Sequence, residues 1–143
     1  MHEPLLARAL VTALAAGQGA APLFIDLNRT HAAHPLWPGH ARFHVVWQTF
    51  TQALASTAVV LLLWWAGPGV NERFYLAAIL TAIPLAGFLI ALLARRRYAG
   101  TLHDPDGIVP ARICAGGRTF ELDMNLALIV VAAVLLVVAV VIF

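Results

Sequence analysis

At 143 residues, 62% hydrophobic and 11% charged, with a mean hydropathy of +0.85, the chain is too apolar for a water-soluble domain. Its length suits one domain, residues 1–143. The net charge of +2 sets nine arginines, with no lysine, against seven acids, which excludes a nucleic-acid footprint and leaves the charges as a topology signal. The single cysteine, Cys114, excludes an intrachain disulfide and reads as an unreactive thiol in a loop. These features predict an all-α integral membrane protein: a four-transmembrane-helix bundle with spans at about 5–25, 39–66, 71–94 and 125–143.

The first span runs from Leu5 to about Ile25, with Arg8 and Gln18 as polar interruptions. A secretory signal is the competing reading, since Gly19-Ala20-Ala21 resembles a cleavage site. Pro22 directly after it is a poor neighbour for cleavage, so a retained helix is expected. A polar stretch broken by Pro35 and Pro38 follows. Four of the six histidines, His31, His34, His40 and His44, lie there within fourteen residues, with Asp26 and Asn28 just upstream.

Pro38 suits the first turn of the second helix, predicted from about Gly39 to Ala66. His40, His44, Gln48 and Gln52 recur every four residues, with Thr51 on the same side, and make one polar stripe on an apolar helix. Polar side chains are costly against lipid, so the stripe is expected to face the bundle interior, with Phe43 and Val46 facing elsewhere. Arg42, on the opposite face, is expected to snorkel to lipid phosphates. Trp64 and Trp65 mark the far membrane interface, and Gly67-Pro68-Gly69 makes a short turn.

The third span carries Pro84 and Gly87 as an expected kink and stops at Arg95-Arg96-Arg97. Glu72 and Arg73 read as far-surface residues without a role. Residues 99–121 form a polar connection in which His103-Asp104-Pro105-Asp106-Gly107 is a turn signature. Gly116-Gly117 then separates Ile108–Cys114 from Arg118–Leu122, which predicts a small hairpin at the membrane surface. The last span is almost pure Leu, Val, Ile and Ala.

Counting arginines orients the bundle. With both termini non-cytoplasmic, Arg29, Arg42, Arg95, Arg96, Arg97, Arg112 and Arg118 lie inside and only Arg8 and Arg73 outside. The expected location is therefore the cell (inner) membrane, multi-pass. The histidine stretch and the His103, Asp104 and Asp106 loop would share the cytoplasmic face.

His40 and His44 stand one helical turn apart, the spacing at which a helix offers two imidazoles to one metal ion. Asp26, His31 or His34 would supply further ligands, with Asn28, Gln48 and Gln52 lining the substrate path. Such a set suits one divalent transition metal ion, zinc or iron, without choosing between them. A metal-free acid–base or ligand-binding cluster is the first alternative. Interfacial histidines bonding backbone around a proline-rich loop are the second. Haem fits less well, because bis-histidine ligation needs opposing helices and only the second helix carries histidines.

The run Asp26-x-Asn28-x-Thr30-His31-x-x-His34-Pro35-x-Trp37-Pro38-x-His40-Ala41-Arg42-Phe43-His44 resembles the signature of a family of small uncharacterised four-helix membrane proteins of bacteria and fungi. The resemblance covers about 20 residues of a dense motif. It implies a four-span architecture with a polar site on the motif, and it brings no activity with it. Because that family often has Asn before the first proline, it favours Asp26, His31, His40 and His44 over His34.

Two functional classes follow. One is a metal-dependent membrane enzyme acting on a lipid-soluble small molecule at the cytoplasmic face. The other is a non-enzymatic protein that binds a ligand, haem or metal, or serves as an accessory subunit. The bilayer is the expected partner in both, with a homo-oligomer or a larger membrane complex allowed by the featureless last helix.

Overall fold

Long apolar helices make up most of the chain in the computed structural model, which describes residues 4–103 and 107–143. Helix α1 spans Leu5–Ile25, α2 Gly39–Trp64, α3 Val70–Ala94 and α4 Met124–Ile142. All four are long and apolar enough to cross a membrane, as expected for a multi-pass protein in a lipid bilayer. A 3₁₀ turn at Arg95–Arg97 closes α3, and strands β1 (Ala111–Ala115) and β2 (Arg118–Leu122) precede α4.

Contacts at the helix ends establish the packing. Arg8, at the start of α1, donates to the Leu63 carbonyl at the end of α2, so these helices run antiparallel. Phe74, at the start of α3, stacks on Phe143 just beyond α4, with ring centroids 3.6 Å apart and planes 2° from parallel. One end of the bundle thus holds Arg8, Trp64, Phe74 and Phe143. The other end holds the loop before α2, the Arg95–Arg97 turn and the hairpin.

Small residues set the closest approach. The buried face of α1 is Ala7, Val11, Ala15 and Gly19, four residues apart. A Cβ on Gly19 would lie 2.6 Å from the Ser56 Cβ of α2, so the Ser56 side chain packs directly on the bare Gly19 backbone. Such contacts are how helices associate where lipid removes the hydrophobic drive between them. The matching face of α2 is Thr49, Ser56, Val59 and Leu63.

α3 is one continuous helix through Pro84. That proline has no N–H for the Leu80 carbonyl. One residue on, the Thr81 carbonyl accepts from the Gln18 side chain of α1 at 3.1 Å. Gln18 is thereby a cross-helix tie rather than a blemish in an apolar span.

The turn between α2 and α3 is held from both sides. Arg73 donates to the carbonyls of Leu62 (3.2 Å), Trp65 (3.1 Å), Gly67 (2.9 Å) and Pro68. Helix C-termini leave carbonyls unpaired and carry partial negative charge, so two guanidiniums there are favourable. Arg8 also sits over the Trp64 ring at 4.5 Å, and the Trp64 Nε1 donates to Thr12 at 2.9 Å.

At the opposite end the predicted hairpin forms. Ala111 pairs with Leu122 and Ala115 with Arg118, leaving Gly116 and Gly117 as a two-residue loop. Both have positive φ, 57° and 74°, as a type I′ turn requires. Asp123 caps α4 by accepting from Leu126 N at 3.0 Å.

Candidate functional site

Local hydrogen bonds shape the loop from Asp26 to Pro38. The Asn28 carboxamide oxygen accepts from Thr30 N at 2.8 Å and from the Thr30 hydroxyl at 2.6 Å, an Asx-type turn. Backbone bonds from Ala32 to Asp26 (2.9 Å), Ala33 to Asn28 (2.9 Å) and His34 to His31 (3.0 Å) wind the rest into consecutive turns. Trp37 closes the loop with its ring edge-on to His31, 5.5 Å between centroids.

These bonds fix imidazole tautomers. The Thr30 hydroxyl lies 2.8 Å from His31 Nδ1 and has given its proton to Asn28. A neutral His31 then donates from Nδ1 and keeps a lone pair on Nε2. His34 is the reverse: its Nδ1 accepts from Leu36 N at 3.2 Å, so a neutral His34 carries its proton on Nε2. His31 therefore offers a lone pair to a ligand, and His34 in this conformation does not. Asp26, at the end of α1, has its carboxyl pushed above the usual aspartate range by burial, and the nearby His31 offsets part of that rise.

α2 carries the second half of the site. Pro38 is its N-cap, with extended ψ, rather than its first helical residue. His40 and His44 meet one turn apart, Nε2 to Nε2 at 3.1 Å, with rings 89° from coplanar. Below them His44, Trp47, Gln48, Thr51 and Gln52 line an open groove of about 310 Å³.

The orientation of this stripe departs from the expectation. His40, His44, Gln48 and Thr51 are exposed on the outer surface of the bundle, and Gln52 is half-buried, donating to the Ser56 hydroxyl at 3.4 Å. Phe43 also faces outward. The physical reason is the close crossing at Gly19, which turns Ser56 and Thr49 inward. His44 is five residues before Thr49, about 140° around the helix at 3.6 residues per turn. Arg42 lies on the inward side instead, half-buried, with an enclosed Nε that has no hydrogen-bond partner among the described residues. It does not simply reach out to lipid.

The predicted ligands accordingly fall into two groups. Asp26, His31 and the further candidate His34 belong to the loop, beside the path residue Asn28, and His40 with His44 belong to the helix. Among the described residues no three His, Cys, Asp or Glu side chains come together closely enough to hold a metal ion. Among the described residues the chain thus presents a histidine pair on α2 and a separate loop cluster. His103 pairs with Asp123 at 3.7 Å, at the start of α4, while Asp104 and Asp106 lie outside the described residues.

Trp47 reads from sequence as an interface anchor, and the structure adds it to the groove wall. Its position three residues after His44 was the available signal. Arg73 offered a signal too, as a cation four residues beyond the Gly67-Pro68-Gly69 turn, in the first turn of the next helix.

Depth gives the groove its meaning. The 26 residues of α2 extend about 39 Å at ~1.5 Å per residue, against a hydrocarbon core of ~30 Å. With Trp64 and Trp65 at the far interface, about 20 residues reach back to a near boundary around Val45. On that placement His40 and His44 would stand at the headgroups, and Gln48 and Thr51 one and two turns inside. No protein-family model, curated protein or solved structure matches the chain.

Proposed function

We propose that this is a membrane protein that takes an amphipathic, lipid-soluble molecule from the bilayer at the polar groove of α2. The carrying observation is that groove: an exposed set of His44, Gln48 and Thr51 on a membrane-spanning helix, with Trp47 beside it. Exposed amides and imidazoles at this depth are unfavourable against acyl chains and favourable against a ligand that carries its own polar group. The His40–His44 pair binds the head of that molecule, and Trp47 covers its apolar part. Gln48 and Gln52 set its orientation through donors and acceptors.

The pair also supports a catalytic form of this reading, in which a divalent metal ion acts on the bound molecule. His31, with its open Nε2, and Asp26 are the candidate proton-handling groups at the neighbouring loop. The arginine distribution supports a cytoplasmic placement of this end, and the Asp26–His44 motif supports kinship with the small four-helix proteins it resembles.

The test is compositional. Protein purified into lipid nanodiscs is extracted and its lipids compared with those of His44→Ala and Gln48→Leu variants by mass spectrometry. One species enriched over bulk lipid in the wild type and lost from both variants is expected. Identical bulk lipid in all three would defeat the binding reading.

A further inference from the structure

The stripe does not stop at Gln48. Positions 44, 48, 51, 55 and 58 are His44, Gln48, Thr51, Ala55 and Ala58, and all five are exposed. Their spacing of four, three, four and three is the seam of a left-handed helix pair. Their chemistry, small residues with an interspersed amide and hydroxyl, is what lets two membrane helices approach and bond. α1, α3 and α4 leave this seam uncovered, since α2 turns its Thr49–Ser56–Leu63 face to them.

The histidines at the head of the seam stand at the spacing of two ligands to one ion. Bonds of about 2.05 Å from one zinc ion to two nitrogens 3.1 Å apart would subtend roughly 100°, near the tetrahedral angle. Two positions would remain, and no third ligand lies within the described residues of the chain.

We propose that two copies of this chain pair in parallel along α2, and that the two His40–His44 pairs close one four-imidazole site for a divalent transition metal at the membrane boundary. A two-fold axis brings identical residues together. Gln48 is both donor and acceptor and is its own complement across such an axis. When the ion binds, the proton between His40 and His44 moves to the Nδ1 of the ring that carried it, so that both neutral imidazoles offer an Nε2 lone pair. The metal holds the heads of the two helices, while Gln48, Thr51, Ala55 and Ala58 pack below. Pairing covers the groove, so the metal-bridged dimer is the state that holds no bound molecule. The proposal rests on the outer face of α2 being the functional one, as above, and its test reads metal and assembly rather than lipid.

Full-length protein in detergent is titrated with zinc while its mass is followed by native mass spectrometry, with and without chelator. The expected result is one zinc per two chains and a dimer that chelator weakens. Both the zinc and the chelator response should be lost in His40→Ala and in His44→Ala, with helical content unchanged. A second measurement does not depend on the histidines. In a Cys114→Ser background, Thr51→Cys is expected to form a disulfide between copies in membranes, and Leu93→Cys on exposed α3 is not. One zinc per chain, absence of zinc binding, or cross-linking through Leu93→Cys alone would each overturn the shared site.

Discussion

The guanidinium of Arg73 donates to four carbonyls, those of Leu62, Trp65, Gly67 and Pro68, and so ends α2, closes the turn and starts α3 with one side chain. A planar fork with five donors can do this, and a lysine ammonium cannot reach the same set. Arg73→Ala is therefore expected to lower stability by about 1 kcal/mol, since only the bond to Leu62 is part-buried and water can replace the other three. Arg73→Lys should recover only part of that. Thermal unfolding in detergent measures both, and an unchanged midpoint for the alanine variant would mean that water serves those carbonyls equally well. The same accounting at His31 and His34 separates two histidines that look alike in sequence. Their Nδ1 atoms face a hydroxyl and an amide, which sets opposite tautomers.

At the level of elements, the crossing of α1 on α2 determines which face of α2 is left outside. At Gly19 the α1 backbone leaves no room for a Cβ beside Ser56 of α2. Gly19→Ala sets two effects against each other. Helix propensity favours alanine by about 1 kcal/mol, while overpacking costs about 1–3 kcal/mol. With the new Cβ 2.6 Å from the Ser56 Cβ, overpacking wins, and net destabilisation is expected. Ser56→Gly in the same chain should restore most of the loss by opening the contact, so the pair of substitutions is non-additive. Unfolding midpoints of the four proteins in one detergent decide it. A stabilised Gly19→Ala would show that the helices do not meet there.

For the molecule as a whole, four antiparallel spans put the loop cluster, the histidine pair, the Arg95–Arg97 turn and the hairpin at one end. Seven arginines lie at that end, and Arg8 and Arg73 at the other, where both are spent on α2 carbonyls. The exposed Cys114 on β1 reports the orientation without any substitution. It is expected to resist a membrane-impermeant maleimide in intact cells and to react after permeabilisation. In a Cys114→Ser background, Ala66→Cys should behave in the opposite way. Labelling of native Cys114 from outside would reverse the orientation and place the histidine pair on the non-cytoplasmic face.

Hydropathy, proline and glycine are local properties, and they determined the spans and the Gly67–Gly69 turn to within about two residues and the Gly116–Gly117 hairpin to within about three. The i, i+4 spacing likewise determined that His40 and His44 meet, because a single helix enforces it. Which side of α2 faces inward was not local. The apolar residues of a membrane helix are nearly uniform around it, so periodicity carries little information about its buried face. The polar stripe suggested an interior position, yet a glycine on another helix, Gly19, admits Ser56 closely and turns the stripe outward. The same holds for Arg8 and Arg73, whose partners are carbonyls brought to them by chain reversal. Backbone carbonyls are present at every residue, and only the tertiary arrangement selects the ones that an arginine will find.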